Sequence, residues 1–206
     1  MPLIKAGGTP ASKSAKGESA AAQLAALTSP APDTRWSAAR ALAGRADAVP
    51  ALAAALAGED VPRVREAIMT ALMRVGDEAS VKAMLPYLAV EDAGLRAAAL
   101  EALQAMPDAV APFMQTLFAD PDSDVRLLAT ELARNMPEAA ATRLLCTLIE
   151  KEQHPNVCAA AIDVLTEVGT AEAIPVLERC AARFAATPFV PFAVSVAIAR
   201  ISGTEA

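Results

Sequence analysis

Residues 122–133 read DSDVRLLATELA, and their pattern indicates the fold of the whole chain. Ala129 and Ala133 follow Arg126 by three and seven residues, so the two methyl groups lie on one side of a helix. Similar segments recur along the sequence, and the marker residue of each copy stands 30–33 residues after the previous one. The markers are Arg35, Arg65, Arg96, Arg126, Cys158 and Pro191. A regular period of this length predicts an array of structural repeats.

Each repeat is predicted to contain two helices. Apolar residues lie three and seven residues after every marker, from Ala38 and Leu42 in the first copy to Val194 and Ile198 in the last. A second apolar segment follows a turn that carries Gly or Pro, residues that end helices. Two helices cannot bury their apolar sides alone, but stacked neighbours can. The predicted fold is an all-α, right-handed α-solenoid (superhelix) of about six two-helix repeats, with a lone N-terminal cap helix at residues 19–28.

Composition supports helices and argues against several functions. Alanine, the strongest helix former, contributes 52 of the 206 residues, whereas aromatic residues make up 3%. Strands favour β-branched and aromatic side chains, so sandwiches, barrels and α/β enzymes are disfavoured. The net charge is −6. Because nucleic-acid-binding domains normally carry a basic surplus, nucleic acid is not an expected partner.

The sequence predicts one folded domain behind a polar tail. Residues 1–18 are rich in Gly, Ser, Pro and Lys, which predicts a disordered tail; a docking arm opened by MPLIK is the alternative. Residues 19–203 are predicted to form a single solenoid domain. The uncharged run at 184–199 has 16 residues, too few to span a membrane, and no secretory signal is visible. The odd number of three Cys residues indicates reduced thiols, so a cytoplasmic location is expected.

The repeated segments resemble a known family. DSDVRLLATELA and, in a looser form, RVREAIMTALM at residues 63–73 resemble HEAT repeats, and the period is most similar to the short type of phycobilisome lyase HEAT-like proteins. The resemblance implies a structural ladder of Asp and Arg side chains between neighbouring turns, which holds the register of the repeats. The ladder residues are Asp33, Arg35, Asp60, Arg65, Asp92, Arg96, Asp122, Asp124 and Arg126. Asn156 and Cys158 replace the pair in the fifth repeat.

No catalytic residue, metal ligand or cofactor site is predicted, so the protein is expected not to be an enzyme. Some HEAT-repeat enzymes, such as deoxyhypusine hydroxylase, bind iron through repeated His-Glu pairs. This chain has one His, His154, which excludes a two-His site within the chain. His154 is also the one imidazole that could activate a Cys nucleophile. Cys146, Cys158 and Cys180 are therefore interpreted as small core residues.

Binding of another protein is the expected function. The resemblance implies that the second helices of the repeats line a concave face. The polar or amphipathic positions predicted on that face are Lys82, Tyr87, Gln115, Arg143, Arg179 and Arg183. Four of the six are cationic although the body of the chain is acidic, which predicts a groove for an acidic partner. The alternative is an ordinary solvated face.

Two aromatic groups have alternative interpretations. Trp36 is predicted either to pack under the cap helix or to be an exposed anchor for a partner. Phe189, Val190 and Phe192 form a terminal patch, which is predicted to be either the core of the last repeat or a dimer contact. The chain is accordingly expected to be a monomer or a weak dimer.

One functional hypothesis and two alternatives follow. The main hypothesis is a non-enzymatic scaffold or adaptor of a bacterial cytoplasm, which binds a protein partner along the concave face. The first alternative is a lyase-like accessory protein that acts on a tetrapyrrole or a modified protein. The second is a regulatory module of a bacterial signalling complex, which differs from the main hypothesis only in its partner.

Overall fold

Two compact units make up the described chain. The computed structural model describes the backbone of residues 11–203 and the side chains of residues 19–203. The first unit comprises the described residues up to Val75, and the second begins at Gly76. The described residues form α-helices and short 3₁₀ turns and contain no strand, so the predicted all-α class is confirmed. A single domain over residues 19–203 stays a prediction.

The first unit contains an N-terminal helix, both helices of the first repeat and the first helix of the second repeat. They are α1 (Ala11–Ala26), α2 (Pro32–Ala41), α3 (Val49–Gly58) and α4 (Pro62–Val75), and a 3₁₀ turn at Ala46–Ala48 leads into α3. Helix α2 packs on α1 and α4, and α3 also packs on α4. Gly44 lies in the turn after α2 with φ of +77°, a left-handed conformation that Gly adopts without strain and that reverses the chain.

Helix α1 is longer than the predicted cap helix. It begins at Ala11, eight residues before the predicted start at residue 19, and it packs on α2 as predicted for a cap. The Ala, Ser, Lys and Glu residues of this segment can all form a helix, so its low hydrophobicity does not prevent α1 from beginning at Ala11. The predicted disordered tail at residues 1–18 therefore overlaps α1 from Ala11 onwards, and its residues 1–10 lie outside the described residues.

The second unit contains the second helix of the second repeat and all later repeats. Its helices are α5 (Glu78–Met84), α6 (Ala93–Gln104), α7 (Pro107–Val110), α8 (Met114–Phe118), α9 (Ser123–Ala133), α10 (Glu138–Lys151), α11 (Pro155–Val168), α12 (Ile174–Arg183) and α13 (Phe189–Ile201). The first helices of successive repeats pack in series, α6 on α9, α9 on α11 and α11 on α13, and the second helices do the same, α8 on α10 and α10 on α12. This two-layered stacking is the arrangement of an α-solenoid.

Asp and Pro residues determine where the first helices begin. The carboxylate of Asp92 accepts a hydrogen bond from the N–H of Leu95 at 3.0 Å, and that of Asp122 accepts one from Asp124 at 2.8 Å. Such caps satisfy N–H groups that have no partner inside the helix. Pro155 occupies the first turn of α11, where its missing N–H costs nothing.

Second helices are less regular than first helices. In the third repeat the predicted second helix is divided into α7, a 3₁₀ turn at Ala111–Phe113 and α8. Pro112 lies in that turn and cannot donate a backbone hydrogen bond, which explains the break. Another 3₁₀ turn, Leu85–Ala89, follows α5 and contains Pro86.

The two predicted apolar columns form the core. Three residues after the marker, all six side chains are buried, including Ala99, Ala129 and Ala161 at 0% exposure. Seven residues after it, the first five are fully buried and Ile198 in the last repeat is half-buried. Because Ala dominates the first column, helices of neighbouring repeats can approach closely. No helix among the described residues has both the length and the apolar character needed to cross a membrane.

Replacing Leu103 with Ala should lower the free energy of unfolding by roughly 2–5 kcal/mol, because the truncation leaves a cavity at a fully buried site. Urea unfolding followed by circular dichroism measures the change. The exposed Thr116 provides a control, since Thr116→Ala should change the free energy of unfolding by less than about 0.5 kcal/mol. A loss below about 1 kcal/mol at Leu103 would show that this column is not core.

Candidate functional site

Each marker Arg contacts the backbone of the turn that precedes its helix. The guanidinium always donates a hydrogen bond to the carbonyl oxygen six residues earlier. These bonds join Arg35 to Ser29 at 2.9 Å, Arg65 to Glu59 at 2.7 Å, Arg96 to Val90 at 2.6 Å and Arg126 to Asp120 at 2.9 Å. Carbonyls at this point lie at or just beyond the end of a second helix and have no partner within it. The marker Arg therefore caps one repeat while it begins the next.

Two marker arginines also hold a buried carboxylate. Arg35 donates to both oxygens of Glu59 at 2.7 and 2.8 Å, and Arg126 donates to both oxygens of Glu152 at 2.7 and 3.1 Å. The Glu side chains are 2% and 4% exposed. Paired hydrogen bonds of this kind fix orientation as well as charge. Each pair ties the turn before a repeat to the turn after it.

Backbone N–H groups complete the environment of both carboxylates. Glu59 Oε1 accepts from the N–H of Val61 at 2.9 Å, and Glu152 Oε1 accepts from that of His154 at 2.8 Å. The hydrogen bond from Arg35 is the main cause that lowers the pKa of Glu59 to about 2. Burial opposes ionisation of Glu152, but the bonds from Arg126 and the backbone outweigh it and lower the pKa of that carboxyl as well.

The structure corrects the acidic half of the predicted ladder, because the partner of Arg35 and of Arg126 is Glu and not Asp. Asp33 pairs instead with Arg63, which stands two residues before a marker. Of the remaining ladder acids, Asp92 and Asp122 accept hydrogen bonds from backbone N–H groups at helix starts. Asp124 lies in the first turn of α9, and Asp60 lies just before α4. The Glu partners were visible as a column six residues before each marker, which reads Ser29, Glu59, Val90, Asp120 and Glu152.

An arginine from another helix replaces the marker in the fifth repeat. Cys158 stands at the marker position, and its Sγ lies 3.8 Å from the carbonyl oxygen of Glu152, again six residues earlier. The guanidinium of Arg183 donates to the carbonyls of Ile149 and Glu150 at the end of α10, and it lies 3.9 Å from Cys158 Sγ. Arg183 was predicted to face a partner, but its donors cap α10.

The three thiols lie in or beside the core. Cys158 and Cys180 are fully buried, and a hydrogen bond between the two thiols raises the pKa of Cys158 and lowers that of Cys180. Burial raises the pKa of the half-buried Cys146 to about 11. Among the described residues no three His, Cys, Asp or Glu side chains come together as a metal site. His154 is exposed, and its backbone N–H bonds Glu152.

Most of the predicted partner-binding cations have partners within the chain. Lys82 pairs with Glu78 at 3.7 Å and lies 5.7 Å from the centre of the Phe113 ring. Arg179 pairs with Glu150 at 2.6 Å, which joins α12 to α10. These contacts reduce the positive charge that the two side chains offer to a partner. Tyr87 is half-buried, whereas Gln115 and Arg143 are exposed.

A groove of about 380 Å³ lies between α8 and α10 in the second unit. The ion pair of Arg126 and Glu152 forms its floor. Its other lining residues are Gln115, Phe118, Ala119, Asp120, Thr147, Leu148, Lys151 and Gln153. The structure thus brings the predicted Gln115 together with Thr147, Lys151 and Gln153, which sequence reasoning missed.

The first unit has an equivalent groove of about 440 Å³. Arg35 and Glu59 form its floor, at the repeat positions of Arg126 and Glu152. Its rim is different, because Ala54 and Gly58 stand where α10 has Thr147 and Lys151. Since the floor recurs and the rim does not, the floor is a structural feature of the repeat and the rim is what distinguishes the groove of the second unit.

Two cations lie on one side of α10. Arg143, Thr147 and Lys151 follow each other at intervals of four residues, so their side chains share one side of the helix. Arg143 and Lys151 are exposed and form no ion pair with any described residue. Eight residues of helix separate them by about 12 Å. The sequence signal for Lys151 was its position two four-residue intervals after Arg143.

The terminal patch is partly buried and partly exposed. Val190 is fully buried on α13, while Phe189 and Phe192 on the same helix are 46% and 70% exposed. Trp36 is half-buried, and the guanidinium of Arg40 lies 4.5 Å from the centre of a ring of its indole. The terminal patch is therefore a core residue flanked by two exposed phenyl rings.

A model of HEAT repeats matches residues 20–104 and 110–185 of the chain. The chain therefore belongs to the HEAT-repeat family. Extended surfaces of such repeat proteins commonly mediate protein interactions. A comparison with curated proteins finds no match.

Solved structures of designed repeat proteins are similar at low identity. An engineered protein from a structural genomics consortium is 17% identical with a TM-score of 0.47, and the match covers 90% of this chain and 97% of that chain. A designed armadillo repeat protein in complex with the peptide (KR)4 is 15% identical with a TM-score of 0.45, covering 87% of this chain and 98% of that chain.

Replacing Glu59 with Gln should lower the free energy of unfolding by about 2 kcal/mol at pH 7, because hydrogen bonds between charged groups become weaker ones. The pKa of Glu59 is about 2 in the folded protein and about 4.3 in an unfolded chain. Its stabilising effect is therefore complete above the unfolded value and disappears as the pH falls towards 2. Urea unfolding at a series of pH values should show the wild type and the variant converging in acid.

The exposed pair of Arg45 and Asp47, whose N–O distance is 2.6 Å, provides the matched control. Asp47→Asn should lower the free energy of unfolding much less than Glu59→Gln does, because solvent screens an exposed pair. Equal losses for the two variants, or a difference between wild type and Glu59→Gln that does not change with pH, would contradict the assigned role of the buried carboxylate.

Proposed function

We propose that this protein is a non-enzymatic scaffold that binds an extended segment of a protein partner along the exposed side of its second helices. The observation that carries the proposal is the groove between α8 and α10. Membership of the HEAT-repeat family supports a binding role in general. The proposal includes two expectations from the sequence. The protein acts in the cytoplasm, and its repeats are of the short type found in phycobilisome lyase HEAT-like proteins.

The floor of the groove suits a binding site because it is already ordered. Arg126 and Glu152 form an ion pair, and each also bonds the backbone of a neighbouring turn. Both charges at the floor are therefore already paired before a ligand binds. A rigid site loses little conformational entropy when it binds. Recognition then depends on the rim, where Gln115, Lys151 and Gln153 are exposed and can bond a peptide backbone or side chains.

The cations on α10 determine the chemistry of the partner. Arg143 and Lys151 are about 12 Å apart along the helix, and an extended chain advances about 3.3 Å per residue. Two acidic side chains about four residues apart would therefore reach both cations at once. The partner that fits is an extended segment with paired acidic residues. Of the four cations predicted to bind a partner, Arg143 is the one that would contact it. Lys82, Arg179 and Arg183 bond groups within the chain instead.

Short Gly-Ser peptides that carry two Glu residues test the proposal by fluorescence anisotropy. A spacing of about four residues should bind more tightly than adjacent Glu residues, because only the wider spacing spans both cations. Replacing Arg143 and Lys151 with Glu should weaken binding about tenfold or more, a loss of at least about 1.4 kcal/mol. Added salt should weaken it further, as expected for screened charges.

The double variant Lys82→Glu and Arg179→Glu is the matched control, because it reverses the same number of charges at cations that are already paired. Its affinity should stay within about twofold of the wild type, a change of less than 0.5 kcal/mol. Equal losses in the two double variants, or no dependence on Glu spacing, would contradict the proposal. Unchanged melting curves would show that each variant is folded.

A further inference from the structure

Helix α13 carries apolar side chains on two sides. Val190, Val194 and Ala197 lie on the side that packs on α11 and α12, and they are at most 3% exposed. Phe189, Phe192 and Val196 lie on another side and are 46%, 70% and 40% exposed, the large hydrophobic side chains with the greatest exposure among the described residues. The half-buried Ala199 continues this line. These four residues, Phe189, Phe192, Val196 and Ala199, are called the outer stripe.

The other repeats show what this surface normally carries. Five residues after the marker, where the last repeat has Val196, the earlier repeats have Arg40, Thr70, Glu101, Glu131 and Asp163. Two residues before the marker, where the last repeat has Phe189, they have Asp33, Arg63, Gly94, Asp124 and Asn156. The polar residues suit a surface in contact with water, so the outer stripe departs from the rest of the array.

Phe192 lies one position after the marker. The earlier repeats have Trp36, Glu66, Ala97, Leu127 and Ala159 at this position, of which Glu66 and Ala97 are exposed and the other three are half-buried. Phe192 is large, apolar and 70% exposed. A helix laid against this side of α13 would cover the phenyl ring.

The spacing of the outer stripe matches a helical partner. Its residues are three, four and three positions apart. This is the spacing of the narrow apolar seam by which two helices pair in a coiled coil. An apolar ligand of another shape would not require so regular a line, so the surface suits a second helix with a similar seam.

Charge identifies a second copy of the chain as the partner that fits. Residues 76–206 carry eighteen Asp and Glu against nine Lys and Arg, so two copies repel each other over most of this surface. The run at 184–199 has no charged residue. Two copies can approach there without placing like charges in contact, and a partner of opposite charge would find nothing to pair with in the same run.

We propose that the outer stripe is a self-association surface, on which α13 of one copy packs against α13 of a second copy about a two-fold axis. Such an interface is self-complementary, because each copy contributes the same residues. At roughly 200 Å² for a fully exposed Phe, the four phenyl rings of a pair would bury about 450 Å². This is small beside the roughly 1,200 Å² or more of stable interfaces. The dimer is therefore weak and forms at high protein concentration.

Sedimentation velocity over a range of concentrations tests the proposal. The weight-average mass of the wild type should rise from that of a monomer towards twice that value. Val196→Glu should remain monomeric throughout, because it places two like charges next to each other at the seam. Higher salt should strengthen the wild-type dimer by screening the acidic surfaces, whereas it should weaken the binding of an acidic peptide to α10.

Thr70→Glu is the matched control, because Thr70 occupies the same repeat column as Val196, is exposed and receives the same charge. This variant should dimerise like the wild type, and melting curves should show that both variants are folded. A wild type that stays monomeric at every concentration, a Val196→Glu variant that still dimerises, or a Thr70→Glu variant that does not would each overturn the proposal.

Discussion

The hydrogen bond from a marker arginine to the carbonyl six residues before it is the interaction on which the array of repeats depends. It supplies a donor where a second helix ends and its carbonyls would otherwise lack one. At Arg35 and Arg126 the same guanidinium also holds a buried Glu, so one side chain connects two successive turns. A buried charge is costly unless it is paired. Here each charge is paired and forms several hydrogen bonds. The turns therefore have one fixed geometry, which sets the direction of the next helix.

The fold could be predicted because its signal is repeated and local. Residues such as Ala99 and Leu103 lie on one side of a helix whatever surrounds it, and six copies of the pattern remove the ambiguity of any single one. Helix starts followed from Asp92 and Asp122, whose caps involve residues only two or three positions away. The interruption by Pro112 could also have been derived, because the missing N–H is a property of the residue itself.

The candidate site was harder to predict because it depends on which side chains meet across repeats. Asp and Glu look alike in a charge pattern, yet only Glu59 and Glu152 lie at the position that Arg35 and Arg126 reach. The pair of Lys82 and Glu78 follows from their four-residue spacing within one helix. Arg179, by contrast, appears free in the sequence, because its partner Glu150 lies on α10 and comes close only when α12 packs there. The interval between Arg143 and Lys151 can be read in the sequence. The groove that Lys151 lines cannot, because it forms only when α8 and α10 pack together.

The replacement of a marker by Arg183 makes the end of the array more cooperative than its middle. A marker Arg bonds a carbonyl six residues away, so that turn can form from a short stretch of chain. Arg183 reaches back 33 and 34 residues to Glu150 and Ile149. The end of α10 therefore acquires its donors only when α12 is also folded. In the middle of the array the bond to the turn can form within a short stretch of chain, whereas here α10 and α12 must be in place together.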